Sequence, residues 1–460
     1  MGFNPPNNKG KVMRLKQAIQ SNRLTDVQII DNFTDIAPPL NDKQVLVASE
    51  RCLFCYDAPC ITACPTGIDI PLFIRKINTG NPHGAAKEIL NANILGGSCA
   101  RVCPTETLCE EACVRNTCEE DPVNISGLQR YAVDNLDTEM PYPFTREADT
   151  GKHVAVVGAG PAGLACAHRL ARSGHQVTIY EAAAKSGGLN EYGIAQYKLL
   201  NDYAQKEVAF VLQVGGIEVK YNTALGKNLT LDQLRADHDA VFIGIGLNTT
   251  NALNVPGEDL AGVEDAVDYI SELRQADSMA TLPVGRRVVV IGAGMTAIDI
   301  AVQSKKLGAQ EVSIVYRRDR SAMGASAHEQ ELALTNGVNF ICNAQPHSIN
   351  GDDNGLTSMQ FLATKVDDNG KLVTTDETIT VPCDVVFKAI GQHLDNTPLG
   401  GGELPNLDKR GRLAVDECFK TSLSDVFAGG DCIDGKDLVV EAVDHGNKAG
   451  EAIHQQLQQA

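Results

Sequence analysis

The sequence predicts an α/β protein with two Rossmann-type folds in tandem behind a cysteine-rich N-terminal region, and three observations predict it. Nine of the fourteen cysteines lie between Cys52 and Cys118. A strand, a glycine-rich turn and a helix follow one another from His153, and the same pattern recurs from Arg287. Glycine is abundant, at 42 residues, whereas aromatic residues make up 5% and tryptophan is absent. Many glycines and few large rings suit α/β folds with tight turns.

Length and charge limit the classes of function. A chain of 460 residues predicts about three domains. Its formal net charge of −18 repels a phosphate backbone, so we expect no nucleic-acid partner. The N-terminal stretch has no apolar run typical of a signal peptide, and no apolar stretch of about 18 residues predicts a membrane span. These features favour a cytoplasmic protein that does not bind membranes.

The first cysteine run indicates metal binding. Without a signal peptide a disulfide framework is not expected, so closely spaced cysteines indicate metal ligands. Cys52, Cys55, Cys60 and Cys64 are separated by two, four and three residues, and Pro65 follows. The bacterial ferredoxin run is C-x2-C-x2-C-x3-C-P, and its fourth cysteine ligates the other cluster. This run has one gap longer by two residues, so it predicts three ligands to one cluster and one to a neighbour.

A second run supplies enough further thiols for two clusters. It contains Cys99, Cys103, Cys109, Cys113 and Cys118, with Pro104 directly after Cys103. Two four-iron clusters need eight ligands, and the two runs offer nine cysteines. Zinc is the alternative, because sulfur-rich sites also hold that ion. The cysteine–proline pairs favour iron–sulfur clusters, in which case the purified protein should be brown.

The first glycine-rich turn has the features of a dinucleotide site. Gly158 permits the tight turn after the strand, Gly160 lets the backbone approach a pyrophosphate, and Gly163 lets helix and strand pack closely. The helix that follows directs its N-terminus at the phosphates. Glu181 ends the second strand, where a carboxylate can accept both ribose hydroxyls. Strand, turn, helix and acid together predict a bound dinucleotide.

The second glycine-rich turn has the same order but a different end. Gly292, Gly294 and Ala297 occupy the three turn positions. Tyr316 aligns with Glu181 of the first fold, and Arg317 and Arg318 come next. An arginine here can hold a 2′-phosphate, so the local chemistry favours NADP over NAD. The alternative is that both arginines lie in solvent or contact the pyrophosphate.

Three later segments are predicted to be strands that end at a ligand crevice. Residues 239–247 and 384–392 contain apolar runs that reach a glycine near the end of each range. The last strand ends at Gly429, Gly430 and Asp431. Asp431 could reach a flavin ribityl chain or a phosphate-bridging water, although aspartate is also common in turns. A helix starting near Val440 would direct its positive end at the flavin ring.

These motifs together resemble a known family. The chain resembles the flavin- and iron–sulfur-containing electron-input half of dihydropyrimidine dehydrogenase, which in many bacteria is a separate subunit of an NAD-dependent enzyme. The resemblance covers nearly the whole chain and is carried by RCLFCYDAPCITACPTGIDI, VCPTETLCEEAC, NISGLQRYA, VVGAGPAGLACAHRLARSGH, SGGLNEYGI and VFAGGDC. The glutamate synthase small subunit is a relative, and its second cysteine run is more compact.

The resemblance implies specific ligands. The cluster-one group would be Cys52, Cys55, Cys60 and Cys113. The cluster-two group would be Cys64, Cys103, Cys109 and Gln129. Counting cysteines alone leaves Cys99 or Cys118 as the eighth ligand instead of Gln129. The resemblance also assigns Gly188 and Leu189 to the stretch that lines the flavin.

The resemblance further implies a domain order. Residues 1–150 would form a helical domain with two [4Fe-4S] clusters. An FAD-binding domain would cover residues 151–252 and 389–460. An NAD(P)-binding domain, residues 253–388, would be inserted within it.

The implied function is electron input. The chain would take hydride from NAD(P)H onto FAD and pass electrons through two [4Fe-4S] clusters to a partner subunit that reduces uracil or thymine to the 5,6-dihydropyrimidine. That partner would contain FMN and a ferredoxin-like domain, which makes a hetero-oligomer. The resemblance favours NAD(H), with NADP(H) as the alternative. No catalytic acid or base is assigned to this chain.

Two other functions fit less well. The chain could be a glutamate synthase small subunit or a related NADPH-dependent electron-transfer flavoprotein subunit, including one of an electron-bifurcating transhydrogenase. A non-catalytic assembly module with an empty flavin site is the contrasting class. The intact GAGPAG turn and Glu181 argue against that module.

Overall fold

A computed structural model of the chain describes residues 24–136, 141–353, 355–395, 399 and 402–459. The first 23 residues, on which the expectation of no signal peptide rests, lie outside these ranges. All fourteen cysteines are free thiols. Among the described helices, none is long and apolar enough to cross a membrane.

Helices alone build the described part of the N-terminal region. Those of residues 24–136 are α1 Asp26–Asn32, α2 Asp42–Glu50, α3 Pro59–Ala63, α4 Ile70–Asn78, α5 Pro82–Ala92, α6 Gly96–Val102, α7 Val114–Glu119 and α8 Ile125–Asp134. Most are short, and capping boxes at Thr25 and Asn41 fix the first turns of α1 and α2.

The core of this region positions the cysteines. Phe73, Ile74, Ile89 and Leu128 are fully buried at its centre. Half-buried cysteines of both runs, among them Cys52 and Cys109, pack against this core. The helical packing therefore holds the two runs at the edge of one apolar core.

The remaining helices and all described strands lie after residue 150. These helices are α9 Pro161–Arg172, α10 Leu189–Tyr192, α11 Tyr203–Leu212, α12 Leu231–Asp237, α13 Ala266–Gln275, α14 Met295–Lys306, α15 Ala327–Thr335 and α16 Val439–Gln459. The strands are β1 His153–Val157, β2 Gln176–Tyr180, β3 Ile217–Lys220, β4 Ala240–Ile243, β5 Thr249–Thr250, β6 Val263–Asp265, β7 Arg287–Ile291, β8 Glu311–Val315, β9 Asn339–Ile341, β10 Ala344–Asp352, β11 Gly355–Val366, β12 Leu372–Pro382, β13 Val385–Lys388, β14 Gln392–His393 and β15 Val426–Ala428.

Two parallel five-stranded sheets result. The first has the order β15-β4-β1-β2-β3 and the second has the order β6-β13-β7-β8-β9. Strand β15 joins the first sheet although it follows every strand of the second sheet along the chain. The antiparallel pair of β5 with β14 lies where the chain leaves the first fold and returns to it. Strands β10, β11 and β12 form a separate antiparallel sheet.

Small differences from the sequence expectations occur at strand ends. Strand β2 ends at Tyr180, and Glu181 follows it directly. Helix α16 begins at Val439, next to the expected Val440.

Tyr197 is fully buried among side chains of the second sheet, although it precedes that sheet in the chain. The structure thus confirms a helical, cysteine-rich N-terminal region followed by two parallel sheets.

Candidate functional site

The first glycine-rich loop is dictated by close backbone packing. Gly158 has a φ of +99°, and a Cβ there would lie 2.5 Å from the carbonyl oxygen of Gly244. A Cβ at Gly163 would lie 1.9 Å from the carbonyl oxygen of Gly158. Both glycines therefore serve the fold itself, because the turn, α9 and the end of β4 meet without space for side chains.

Gly160 is different, because the space in front of it is open. A Cβ there would meet only the Gly188 Cα, at 3.8 Å. Gly188 has a φ of +53° and bends the chain over this point, and Leu189, which begins α10, is 39% exposed. Gly160 immediately precedes α9, so the amides of that helix face the open space. The arrangement fits a pyrophosphate lying over Gly160.

Glu181 is held at the same loop by backbone donors. Its Oε2 accepts a hydrogen bond from the Ala159 N–H at 2.7 Å, and its Oε1 accepts one from the Ala183 N–H at 2.7 Å. Burial raises the pKa of Glu181, and the two amides act in the opposite direction. The carboxylate is fixed where the first fold would place a ribose.

Asp431 follows the turn after β15, and this turn packs against the first nucleotide loop. A Cβ on Gly430 would lie 3.0 Å from the Ala162 Cβ, so this turn touches the start of α9. Burial raises the pKa of Asp431 to about 7, and the carboxylate of Asp437 adds to the shift. His445 of α16, which the sequence did not single out, accepts a hydrogen bond from the Gly430 N–H at 3.3 Å. Residues of the first fold thus fit an FAD.

The second glycine-rich loop repeats the geometry of the first. Gly292 has a φ of +141°, and a Cβ there would lie 2.1 Å from the Ala389 carbonyl oxygen. Gly294 has open space in front of it, with nothing within 4 Å of a Cβ. Ala297 is fully buried in α14. The open space before α14 fits a second pyrophosphate.

The end of β8 carries cations where the first fold carries an acid. The Tyr316 hydroxyl donates to the Ala322 carbonyl at 2.9 Å. Arg317 and Arg318 follow and are exposed, while their carbonyl oxygens accept hydrogen bonds from the Thr364 hydroxyl and the Asn343 N–H. The main chain is therefore fixed and the two guanidinium groups face solvent.

The cluster-one group surrounds a cavity. The cavity is lined by Cys52, Cys55, Cys60 and Cys113, together with apolar side chains that include Leu53, Ile70 and Ile74. Burial, with the nearby thiols of Cys52 and Cys113, raises the pKa of Cys60 to about 12. Four converging thiols in apolar surroundings fit a cationic iron centre, because thiolates here would otherwise repel one another.

The cluster-two cysteines converge at a second place. A hydrogen bond with Cys99, burial and the thiols of Cys109 and Cys64 raise the pKa of Cys103. Cys64, Cys99 and Cys103 pack against Val440 at the beginning of α16. The second group is therefore next to the helix that would face the flavin.

The eighth ligand has two candidates in this place. Gln129 is buried, and its Nε2 donates to the Gly96 carbonyl at 2.7 Å, at the start of the helix that carries Cys99. Cys99 is buried beside Cys103, and its Sγ accepts a hydrogen bond from the Asn93 Nδ2 at 3.2 Å. Cys118 is exposed at the end of α7. For single metal ions, no suitable group of three or more His, Cys, Asp or Glu side chains occurs in the described ranges.

A buried ion-pair group was missed by sequence reasoning. The Lys198 Nζ lies 2.7 Å from the Asp299 Oδ1 and 2.7 Å from the Glu329 Oε1. Lys198 follows the flavin-lining stretch, whereas the two acids belong to α14 and α15 of the second fold. The group therefore joins the two folds. Charged residues in ordinary helical sequence gave no indication of this contact.

Comparison with family models divides the chain in two. Residues 152–446 match the model for pyridine nucleotide-disulphide oxidoreductases. Residues 29–140 match the model for domain II of dihydropyrimidine dehydrogenase, described as a 4Fe-4S cluster domain.

Curated relatives extend over nearly the full length. The NAD-dependent dihydropyrimidine dehydrogenase subunit PreT of Escherichia coli O157:H7 is 36% identical, over 93% of this chain and 98% of its own. The glutamate synthase [NADPH] small chain of Escherichia coli K12 is 34% identical, over 92% of this chain and 93% of its own. The beta subunit of the NADP(+)-dependent formate dehydrogenase of Moorella thermoacetica is 36% identical, over 87% of this chain and 60% of its own.

Solved structures share the fold of about two thirds of the chain. The Mycobacterium tuberculosis oxidoreductase FprA is 19% identical with a TM-score of 0.57, covering 67% of this chain and 85% of that one. Thioredoxin reductase of T. acidophilum is 22% identical with a TM-score of 0.52, covering 67% and 99%.

The chain belongs to the pyridine nucleotide-disulphide oxidoreductase family, with an N-terminal domain of the dihydropyrimidine dehydrogenase iron–sulfur type. The resemblance predicted from the sequence is confirmed. The chain is an NAD(P)H-dependent flavoprotein oxidoreductase with a 4Fe-4S domain, and it functions in electron transfer.

Proposed function

We propose that this chain is the electron-input subunit of an NAD-dependent dihydropyrimidine dehydrogenase. The observation that supports it is the presence of four sites in one chain: two open pyrophosphate cradles, at Gly294 and Gly160, and two cysteine groups. The cluster-two group lies beside the start of α16.

Residues of the first fold would hold FAD. The amides at the start of α9 bind the pyrophosphate over Gly160, and the fixed Glu181 carboxylate accepts the ribose hydroxyls. Asp431, beside the start of α9, would contact the ribityl chain, and the first turn of α16 would direct its positive end at the flavin. Bound here, FAD would supply hydride acceptance from the nicotinamide, and two clusters would supply single-electron transfer.

Residues of the second fold would hold the nicotinamide cofactor. Gly294 and the start of α14 bind its pyrophosphate, and the Lys198 group keeps this fold against the flavin-lining stretch. We propose NAD(H) as the physiological cofactor. The domains are proposed to be residues 1–150, 151–252 with 389–460, and 253–388, a division supported by β15 joining the first sheet.

The cluster ligands are proposed as Cys52, Cys55, Cys60 and Cys113 for cluster one, and Cys64, Cys103, Cys109 and Gln129 for cluster two. Cys99 is the second candidate for the eighth position because its thiol contacts Cys103. Gln129→Ala and Cys99→Ser separate the two: the variant that loses about half of the iron, on a two-cluster count, has lost the ligand.

One experiment tests the proposal as a whole. The anaerobic protein should contain FAD and about eight iron atoms, and NADH should bleach its yellow-brown spectrum. Alone it should reduce an artificial dye but not uracil. Mixing with an FMN-containing partner that carries a ferredoxin-like domain should produce pyrimidine reduction.

The small-chain role in glutamate synthase is the second candidate, and the similarity to that subunit at 34% identity supports it. Transfer of electrons to a glutamate synthase large chain, with none to the pyrimidine-reducing partner, would decide for that role.

A further inference from the structure

Glu207 joins the first nucleotide fold to the iron–sulfur region through a buried contact. It lies on α11 and is 7% exposed. Its Oε1 accepts hydrogen bonds from the Gly97 N–H at 3.0 Å and the Ser98 N–H at 2.9 Å, and its Oε2 accepts one from the Ser98 hydroxyl. Three donors from α6 therefore converge on one carboxylate of another domain.

The surroundings show that this contact is closely packed. A Cβ on Gly97 would lie 1.9 Å from the Tyr203 hydroxyl oxygen, so only glycine permits the approach of α6 to α11. The Arg101 guanidinium lies 3.7 Å from the centre of the Tyr203 ring and also donates to the Gly97 carbonyl at 2.9 Å. The Arg101 Nη2 pairs with the Asp134 Oδ1 at 2.6 Å.

Helix α6 leads directly into the cluster-two group. Ser98 is followed by Cys99, and one helical turn later α6 ends next to Cys103. Whatever fixes Gly97 and Ser98 therefore fixes the approach of these cysteines to the first fold. A carboxylate hydrogen-bonded to Ser98, the residue before Cys99, would also add negative charge near a cluster held by this group, and net charge is one of the terms that set a cluster potential.

We propose that Glu207 is a positioning residue for the cluster-two group. It keeps α6 docked on the first nucleotide fold, and its charge lowers the reduction potential of that cluster. The proposal rests on the function proposed above. It concerns electron transfer from the flavin to the nearer cluster and leaves hydride transfer from the nicotinamide to the flavin unaffected.

The test compares three variants of the full chain with all cofactors at pH 8.5, above the pKa of about 7 to which burial raises Glu207. Glu207→Gln keeps the shape and removes the charge. Ser98→Ala removes one hydrogen bond and keeps the charge. Asp239→Asn is the control, because Asp239 accepts a hydrogen bond from the His153 N–H at the amino ends of β1 and β4. The measurements are the potential of each cluster by redox titration, the rates of flavin reduction and of internal electron transfer, and hydrogen exchange of residues 96–102 in cluster-free protein.

Glu207→Gln should raise the potential of one cluster only, slow electron transfer from flavin to cluster at least threefold, and increase amide exchange in α6. Its rate of flavin reduction by NADH should match the unmodified protein. Ser98→Ala should increase exchange without moving either potential, and Asp239→Asn should change none of these quantities.

Unchanged potentials together with unchanged exchange in Glu207→Gln would overturn the proposal. Increased exchange with unchanged potentials would restrict Glu207 to a structural contact and would equally overturn its electrostatic part. A chain that binds no iron would refute the proposed function instead, and exchange of α6 in cluster-free protein would still decide the docking role.

Discussion

The two glycine-rich folds have the same turn geometry but different residues where the ribose would bind. Gly158 and Gly292 both have positive φ, and in both a Cβ would collide with a carbonyl oxygen that follows the neighbouring strand, Gly244 in one fold and Ala389 in the other. Gly160 and Gly294 both face open space. The first glycine is therefore required by the sheet, and the second is available for a ligand.

The third turn position separates the folds. Gly163 leaves no space for a Cβ, whereas Ala297 carries one and is fully buried. Helix α9 thus sits closer over its turn than α14 does. Glycine at this position is a property of the particular packing, and its replacement by alanine does not mark a defective site.

The largest effect should come from exchanging these two residues. Gly163→Ala places a Cβ 1.9 Å from a backbone carbonyl that cannot move, so it should cost about 3 kcal/mol or more of stability. Ala297→Gly should cost about 1 kcal/mol, through helix propensity and a small cavity. Thermal unfolding of cofactor-free protein measures both. Equal losses would show that the two helices pack alike.

The next effect separates fold from ligand. Gly160 and Gly294 both have negative φ, and a Cβ at either position meets no close neighbour. Replacing either glycine by alanine should therefore change the free energy of unfolding of the cofactor-free protein by no more than about 0.5 kcal/mol. The methyl group fills the cradle, so Gly160→Ala should lower FAD affinity about 100-fold, or ~2.7 kcal/mol. Gly294→Ala should retain FAD and lose nicotinamide affinity by a similar factor. Flavin content and nicotinamide titration report the two losses, and loss of both cofactors in either variant would contradict the separation.

The features of the two folds could be predicted from the sequence where the spacing of residues determines the geometry. The turns at Gly158 and Gly292, the acid at Glu181 and the two cysteine runs were found because each chemistry needs fixed residue types at fixed spacing. Contacts between domains were not predictable. Lys198 and Glu207 have partners distant in the chain, and each is an ordinary charged residue in its local sequence.

The last strands of the two sheets allow a pH test. The chain after β15 continues into Asp431, whereas the chain after β13 continues into Gln392, which is neutral. Burial raises the pKa of Asp431 to about 7 in the folded state, above its ordinary value of 3.8. The contribution of Asp431 to the free energy of unfolding is therefore fully present below pH 3.8 and is lost as the pH rises to about 7.

Asp431→Asn should remove this dependence in cofactor-free protein. As the pH rises from 5 to 8, the free energy of unfolding of the variant should increase by about 2 kcal/mol relative to that of the unmodified chain. The reason is that the amide is not ionised at either pH. Gln392→Asn, in the segment that follows β13, is the control and should leave the pH profile unchanged. Thermal unfolding from pH 5 to pH 8 gives the comparison, and parallel curves for all three proteins would show that Asp431 ionises freely in the fold.

The smallest effect concerns the cations that replace the acid. Arg317 and Arg318 are exposed, so each guanidinium must lose rotamer freedom before it can hold a 2′-phosphate. We therefore expect the catalytic efficiency for NADH to exceed that for NADPH in dye reduction. The double substitution Arg317→Ala with Arg318→Ala should change the NADH value less than twofold. It should lower the NADPH value by up to tenfold, or about 1.4 kcal/mol, because a solvent-facing cation still attracts the extra phosphate. A catalytic efficiency for NADPH tenfold above that for NADH in the unmodified protein would reverse the assignment of NAD(H) as the cofactor. The two folds would then differ in that an acid binds the ribose in the first and cations bind the 2′-phosphate in the second.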